Sequence, residues 1–493
     1  MVIPLEYLGV ASAHRDHGVN PNLILAVTAL AGLAYAMLSS AVIPALTSIQ
    51  HSLHTTETAV TWLLTGYLLS ASVATSILGR LGDMYGKERL LLITLIILAV
   101  GTVVSALSSS IVPMIAGRII QGAGGGIFPL AFGIVRDEFP RERVAGSIGL
   151  LSSILGVGGG IGIVLGGLIV EHLNYHWLYW IPLVVMVVAA FCTWRYVPES
   201  PVRVPGRVNW LAAALMAAGF SCVLIAISET ISWGWLSAKT ILLLAIGLAL
   251  CVAWIAVEVR SKVPLIDMAM MRIRGVWTTN LVAFLLGGGM YASFLLYPQF
   301  AQLPKSTGFG FGASVVVAGL YLAPAALAMS VLGSVAGRVA RRYGSKAALI
   351  VGSGITAAAF GYFAALHAHP FDMLISTTLM GVGIGLAFAA LGNLSVQAVP
   401  PEQTGAATGM NTVMRTLGGA LGGQIVATFI ADNVKNGLPT LTGFTSSLIL
   451  QCGFLVVAML AAVLVPGRQA LALEAAVAEP QFASAQVQAQ EVA

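Results

Sequence analysis

The chain has 493 residues, of which 58% are hydrophobic and 9% charged. An ordinary soluble domain carries roughly 25% charged residues, so the composition argues against a soluble enzyme or scaffold. Lys and Arg number 24 against 19 Asp and Glu, a net charge of +5; the placement of these charges along the chain argues against nucleic acid as the partner.

A membrane-spanning helix needs about 20 mostly apolar residues. In chain order the sequence predicts fourteen such spans, at 22–46, 58–78, 90–109, 112–133, 144–170, 178–197, 210–229, 239–258, 276–298, 312–335, 347–366, 371–392, 405–431 and 446–466. The polar start "MVIPLEYLGVASAHRDHGVNPN" runs directly into the first span, which reads as a spanning helix rather than a cleaved leader. The four cysteines, Cys192, Cys222, Cys251 and Cys452, lie in apolar runs without paired spacing and read as small buried hydrophobes.

With the N-terminus inside, 19 of the 24 basic residues fall in or beside inner segments, among them Arg80, Lys87, Arg89, Arg136, Arg338 and Lys346. The outer loops hold only Lys239, Lys305 and Lys435, and Arg118 and Arg415 lie within spans. This asymmetry follows the positive-inside rule. It predicts an even number of spans with both termini cytoplasmic, in a multi-pass plasma (inner) membrane protein. The excess of positive charge thus reports topology.

The chain also repeats itself. "GRLGDMYGK" at 79 returns as "GRVARRYGSK" at 337, "MIAGRIIQGAGGG" at 114 as "MLISTTLMGVGIG" at 373, and "PRERVAGSIG" at 140 as "PPEQTGAATG" at 400. The offsets are 258, 259 and 260 residues. The expected fold is an all-α integral membrane protein with two pseudo-symmetric six-helix bundles, at 22–198 and 275–466. Residues 1–21 form a cytoplasmic segment, 199–274 hold linkers and two inserted spans, and 467–493 form a cytoplasmic tail expected to be disordered. Closely spaced prolines in "PESPVRVPGRVN" suit a linker into the insertion. Parallel halves with a site between them near midplane form a transporter architecture.

The motifs then point to a family. "GRLGDMYGKER" resembles the signature loop between the second and third helices of the major facilitator superfamily, with Gly79, Leu81, Asp83, Gly86, Lys87 and Arg89 on its pattern and Arg80 a further gating candidate within it. "RIIQG" (Arg118, Gln121, Gly122) resembles its fourth-helix motif, and "GGGIGIVLGG" (Gly158, Gly162, Gly166, Gly167) its fifth-helix antiporter motif. Fourteen spans with two extra central helices resemble the drug:proton antiporter branch. The resemblance implies efflux of hydrophobic or amphipathic molecules of the drug or antibiotic type, driven by protons, with no cofactor, no metal and no enzymatic reaction. Two positions depart from the pattern: Ile163 stands where the fifth-helix motif has proline, and Tyr35 where the branch carries a first-helix acid.

Asp83 is expected to hold the halves together on the cytoplasmic side, facing the chain near Gly405, because a carboxylate is favoured beside a helix N-terminus and basic side chains. Arg80, Lys87 and Arg89 are expected to bridge to acids such as Asp137 or Glu138. The second copy has Arg341 in the place of Asp83, so the latch is one-sided. Arg118 cannot give up its proton at ordinary pH and serves as an anchor, a bias on an acid or an anion site. The glycines of the fifth and thirteenth spans are expected to bring those helices close at the interface between the halves. Cavity candidates are Tyr35, Trp62, Tyr67, Asn280, Tyr291, Asn393, Asn411 and Arg415. Such aromatic and sparsely charged walls suit bulky amphipathic compounds.

A phosphate loop is excluded at 82–88, because Leu81 and Glu88 stand where GxxxxGK[ST] needs Gly and Ser or Thr. No stretch binds nucleotide or nucleic acid. The expected partners are a small-molecule substrate, protons and the lipid bilayer, on a monomer. A metabolite or nutrient carrier on the same fold, or a receptor-like membrane protein that does not transport, are the alternative readings.

Overall fold

The computed structural model describes residues 20–200, 209–261, 264, 266–435, 437–467 and 470. The N-terminal segment before residue 20, part of the linker after 200 and most of the tail after 467 lie outside the described residues.

Helix α1 (Pro21–Ala41) is capped by Asn20, whose side chain accepts from Asn22 N. Around Pro44 the chain tightens into a 3₁₀ turn, Ile43–Ala45, and continues as α2 (Leu46–Ser52). Thr56 caps α3 (Glu57–Tyr85), which meets α4 (Lys87–Leu107) at Gly86, φ +111°. The fourth predicted span is not one helix. It runs as α5 (Ile111–Gln121), a 3₁₀ segment at Gly122–Gly126 and α6 (Ile127–Glu138), because "GAGGG" carries almost no side chains to favour the wider α-turn. Helix α7 (Arg141–His172) runs 32 residues without interruption, with Ile163 at the place of the motif's proline. Helix α8 (Trp177–Tyr196) closes this part of the chain.

The inserted spans are α9 (Trp210–Ser228) and α11 (Ala238–Arg260), joined through the short α10 (Thr230–Trp233). The brief α12 (Met268–Arg272) leads to α13 (Arg274–Met290) and α14 (Ser293–Gln302). The predicted span 276–298 is therefore interrupted at Tyr291–Ala292. Three successive glycines, Gly287 to Gly289, weaken the helix before the break, and Pro298 withholds a backbone donor after it. A similar break, next to Pro324, separates α15 (Val315–Leu320) from α16 (Ala323–Tyr343). Gly344, φ +86°, turns the chain into α17 (Ser345–Ala365). Helix α18 (Pro370–Gln397), α19 (Thr404–Asp432), a two-residue β-hairpin at Val434–Lys435 and Leu438–Pro439, and α20 (Leu441–Ala462) complete the order. Gly86 and Gly344 stand 258 residues apart, so both copies of the repeated loop turn on a glycine whose left-handed backbone other residues avoid.

Among the described residues, thirteen stretches are long and apolar enough to cross a membrane. The fourteenth prediction falls on the interrupted pair α13 and α14, where α13 has 17 residues. Side chains pack into two large cores, one drawn almost wholly from residues 24–197 and the other from 212–465. Ile163 belongs to the second core and Val396 to the first, so each part lends a side chain to the other. Helix α9 packs on both α3 and α19 and joins the second core through Met216 and Phe220. The four cysteines are free and only half-buried, a correction to their reading as core residues; their helices turn one side away from the packed interior.

The two parts meet most extensively along α3 with α19 and α7 with α16, with further contacts of α7 with α18 and α6 with α19. Glycine makes both approaches possible. A Cβ at Gly79 would strike the Gly405 carbonyl, and one at Gly337 would strike the Gly146 backbone. One turn on, a Cβ at Gly149 would lie 2.8 Å from the Gly333 carbonyl and one at Gly409 2.9 Å from that of Thr75. Helix α7 is also wedged against α1. Gly158, Gly162 and Gly166 face Ala36, Met37, Ser40 and Ala41, while Gly160 faces Ala326 and Gly167 faces Val315. The glycine-rich fifth and thirteenth spans thus both lie at the meeting of the two parts, each against a helix of the other part rather than against one another.

Candidate functional site: a lock and a cavity between the two halves

The loop at 79–89 is organised around buried charges. Asp83 is 1% exposed and accepts from the backbone N–H groups of Gly405 (3.3 Å) and Ala406 (3.2 Å). These are orphan donors at the start of α19, where partial positive charge favours a carboxylate. Lys87 is fully buried, 3.7 Å from Asp83 and 2.6 Å from Asp137. Its aliphatic stem lies against Gly133, where any side chain would displace it. Ser200 donates to the same Asp137 oxygen. The expected bridge from this loop to Asp137 is thus made by Lys87, while Arg89 is exposed and its backbone N–H donates to Glu199. Glu199 also accepts from Glu88 N, so its carboxylate caps α4 over Gly86, where a Cβ would lie 2.5 Å from it. Arg80 is half-buried beside Asp83.

A second tie across the halves was read from sequence only as an orientation charge. Arg136 donates to Val399 O (2.7 Å), Pro400 O (3.3 Å) and Thr404 Oγ1 (2.6 Å). It binds carbonyls just past the end of α18, where a cation is favoured. Asn393, a cavity candidate, donates instead to Ala145 O across the same seam. All these contacts lie at the end of the bundle that carries the 79–89 loop.

Arg118 is fully buried and serves as an anchor. It donates to Leu63 O (2.9 Å), Leu38 O (3.3 Å) and Gln121 Oε1 (2.9 Å), and stacks 4.2 Å over the Tyr67 ring. Gln121 passes the chain of bonds on to Gly101 O and Ser105 Oγ. A Cβ at Gly122 would strike Ser70, so the 3₁₀ segment lies directly on α3. Arg118 therefore ties α1, α3, α4 and α5 together, and no described carboxylate pairs with it.

Between the halves lies a small cavity, narrow in this conformation. Phe128 and Phe132 line it from α6, Ser152 and Leu155 from α7, Phe388, Gly392 and Ser395 from α18. Thr408, Asn411, Thr412 and Arg415 form a single face of α19. The Arg415 guanidinium stacks 4.5 Å over Phe388. Of the cavity candidates read from sequence, Asn411 and Arg415 line this space. Tyr35 adjoins it, its ring 6.1 Å from Phe128 and from Tyr67. The others lie outside the lining, for local reasons: Tyr67 is covered by Arg118, Asn280 holds Asn411 at 3.1 Å, and Tyr291 packs on Gly419 at the helix break. Trp62 is half-buried on α3 and is not part of this wall.

The family model for the Major Facilitator Superfamily matches residues 28–423. The protein belongs to the major facilitator superfamily. Among curated superfamily relatives, it is 27% identical over 71% of its length to Multidrug resistance protein 3 of Bacillus subtilis, covering 68% of that protein. It is 27% identical to the Tetracenomycin C resistance and export protein of Streptomyces glaucescens, covering 80% of this chain and 72% of that one. Lincomycin resistance protein LmrB of B. subtilis is 25% identical, covering 80% and 81% respectively. Two solved superfamily structures share the fold. The human organic anion transporter MFSD10 has a TM-score of 0.64 at 15% identity, over 90% of this chain and 99% of that one. The proton:xylose symporter XylE has a TM-score of 0.64 at 14% identity, over 91% and 96%. The chain is thus a multi-pass membrane protein of the superfamily.

Proposed function

We propose that the protein exports hydrophobic or amphipathic small molecules of the drug or antibiotic type by alternating access. The observation that carries this reading is the cavity of mixed aromatic and polar lining built from helices of both halves. At one end the halves are held shut by Asp83, Arg136 and Asn393. Relatives named for multidrug, tetracenomycin C and lincomycin resistance support the substrate type. In this reading the locked end faces the cytoplasm, both termini lie inside, and the interrupted pair α13 and α14 crosses the inner membrane as one of fourteen spans.

Protons are the proposed coupling ion. The cavity lining contains no carboxylate, and Tyr35 occupies the place of the branch's first-helix acid. Asp83, buried between the halves, is then the acid whose protonation would loosen the lock. The test is flux in proteoliposomes under an imposed pH gradient, with a panel of hydrophobic and amphipathic compounds. Substrate-dependent dissipation of the gradient is expected. Substrate flux indifferent to the gradient would remove proton coupling alone. Absence of flux for every compound would instead favour a receptor-like protein.

A further inference from the structure

Arg118 is fully buried and Arg80, Arg136 and Arg415 are half-buried, and these arginines differ in what satisfies them. Arg118 donates to two backbone carbonyls and Gln121, with only Nη2 left unpartnered, and Arg136 donates to two carbonyls and a hydroxyl. Arg415 has no such set. Its Nε is buried without a hydrogen-bond partner, and it pairs with no described carboxylate. The face of Phe388 gives partial compensation. Unlike Arg118, half-buried Arg415 lines the cavity, and an ionisable side chain of a spanning helix that faces a cavity is a functional-site candidate.

The other polar groups of the wall sharpen the point. The hydroxyls of Thr408 and Thr412 donate to carbonyls one turn back on their own helix. Asn411 spends its amide on Thr279 O and Asn280. Ser395 Oγ, by contrast, is buried and unpartnered, a second donor on the lining. The cavity therefore presents a fixed positive charge and a free hydroxyl between aromatic rings, and no carboxylate to receive a cation.

We propose that this cavity binds amphipathic organic anions, with Arg415 receiving the carboxylate, sulfonate or phenolate and Phe128, Phe132 and Phe388 holding the aromatic body. The proposal rests on the export reading and narrows its substrate class. A lipophilic cation of the same shape would meet the Arg415 charge with no carboxylate on the wall to offset it, only the aromatic faces.

The test compares fluorescein, an anion, with rhodamine 6G, a cation on a related xanthene frame, binding to the purified full chain at neutral pH by fluorescence polarisation. Fluorescein is expected to bind more tightly by about tenfold or more, and Arg415→Gln to weaken it by a similar factor, below the scale for a fully buried charge pair because Arg415 is half-buried. Arg415→Lys should retain most of the binding. Thr412→Asp, which places a carboxylate on the same wall, should weaken fluorescein and admit rhodamine 6G. If Arg415→Gln does not fold, the wild-type ratio and Thr412→Asp decide. Equal or tighter binding of rhodamine 6G to the wild type, or fluorescein binding unmoved by Arg415→Gln, would overturn the proposal. Rhodamine 6G flux without anion preference would remove the charge rule and leave export intact, whereas no flux for any compound would remove the export reading itself.

Discussion

At the scale of single residues, the same side-chain type does different work according to its acceptors. Asp83 joins the halves through two backbone N–H groups, so Asp83→Asn removes the charge from both bonds and leaves its shape. Bonds to a charged acceptor contribute about 1.5–3 kcal/mol each in favourable cases. Transport by Asp83→Asn is expected to fall sharply with expression near normal; undiminished flux in proteoliposomes would count against the lock. Arg118 makes a different case. Lys carries the charge but lacks the planar fork that reaches Leu63, Leu38 and Gln121 together. Arg118→Lys should therefore destabilise the protein by about 1–3 kcal/mol, read as a lower melting temperature in detergent. An unchanged melt would show that charge alone suffices there. The place of Asp83 opposite Gly405 was legible in sequence, because the loop, its repeat and the start of α19 are fixed by motif and offset. The tie made by Arg136 was not, since a basic residue in an inner loop is already accounted for by orientation.

At the scale of elements, hydropathy over windows of about 20 residues recovers the order of the spans but is blind to interruptions. Five residues of 3₁₀ helix at Gly122–Gly126, or a break at Tyr291–Ala292, leave the apolar content unchanged. The glycines signalled weakness there without saying which turn would give way. Helix α7 shows the opposite outcome, and its continuity yields a prediction. Pro inside a helix costs about 3 kcal/mol or more, largely by orphaning the carbonyl four residues earlier. For position 163 that carbonyl is Gly159 O, which already accepts from Ser40 Oγ at 2.8 Å. Ile163→Pro is therefore expected to cost less than an equivalent proline elsewhere in α7. Ser40→Ala should be mild alone and severe in the Ile163→Pro background, with a coupling of about 0.5 kcal/mol or more in a double-mutant cycle of thermal melts. Strict additivity would show that Ser40 does not support the altered helix.

At the scale of the whole molecule, the charge census and the repeat carry the proposed orientation, and it can be checked directly. In a background lacking Cys192, Cys222, Cys251 and Cys452, Lys305→Cys is expected to react with an impermeant maleimide on intact cells. Arg89→Cys, exposed at the opposite end, should react only after permeabilisation. The reverse pattern would invert the topology. The cavity was the least legible feature, because it depends on which faces of α6, α7, α18 and α19 meet, and those helices come from both halves. Polar and aromatic character alone selected Trp62, Tyr67 and Asn280, which other contacts claim; the regular face of Thr408, Asn411 and Arg415 was the signal available on α19. The glycine crossings at Gly79 with Gly405 and Gly337 with Gly146 have one more consequence. Backbone against backbone, without interleaved side chains, is a surface with little friction. Separation there requires no rotamer changes, so the crossings add little to the barrier for rocking. Under the proposed alternating access, the frequency of opening then depends on the polar bonds and packed side chains beside them, and a bulky residue at either crossing would act on the speed of the cycle as well as on its resting state.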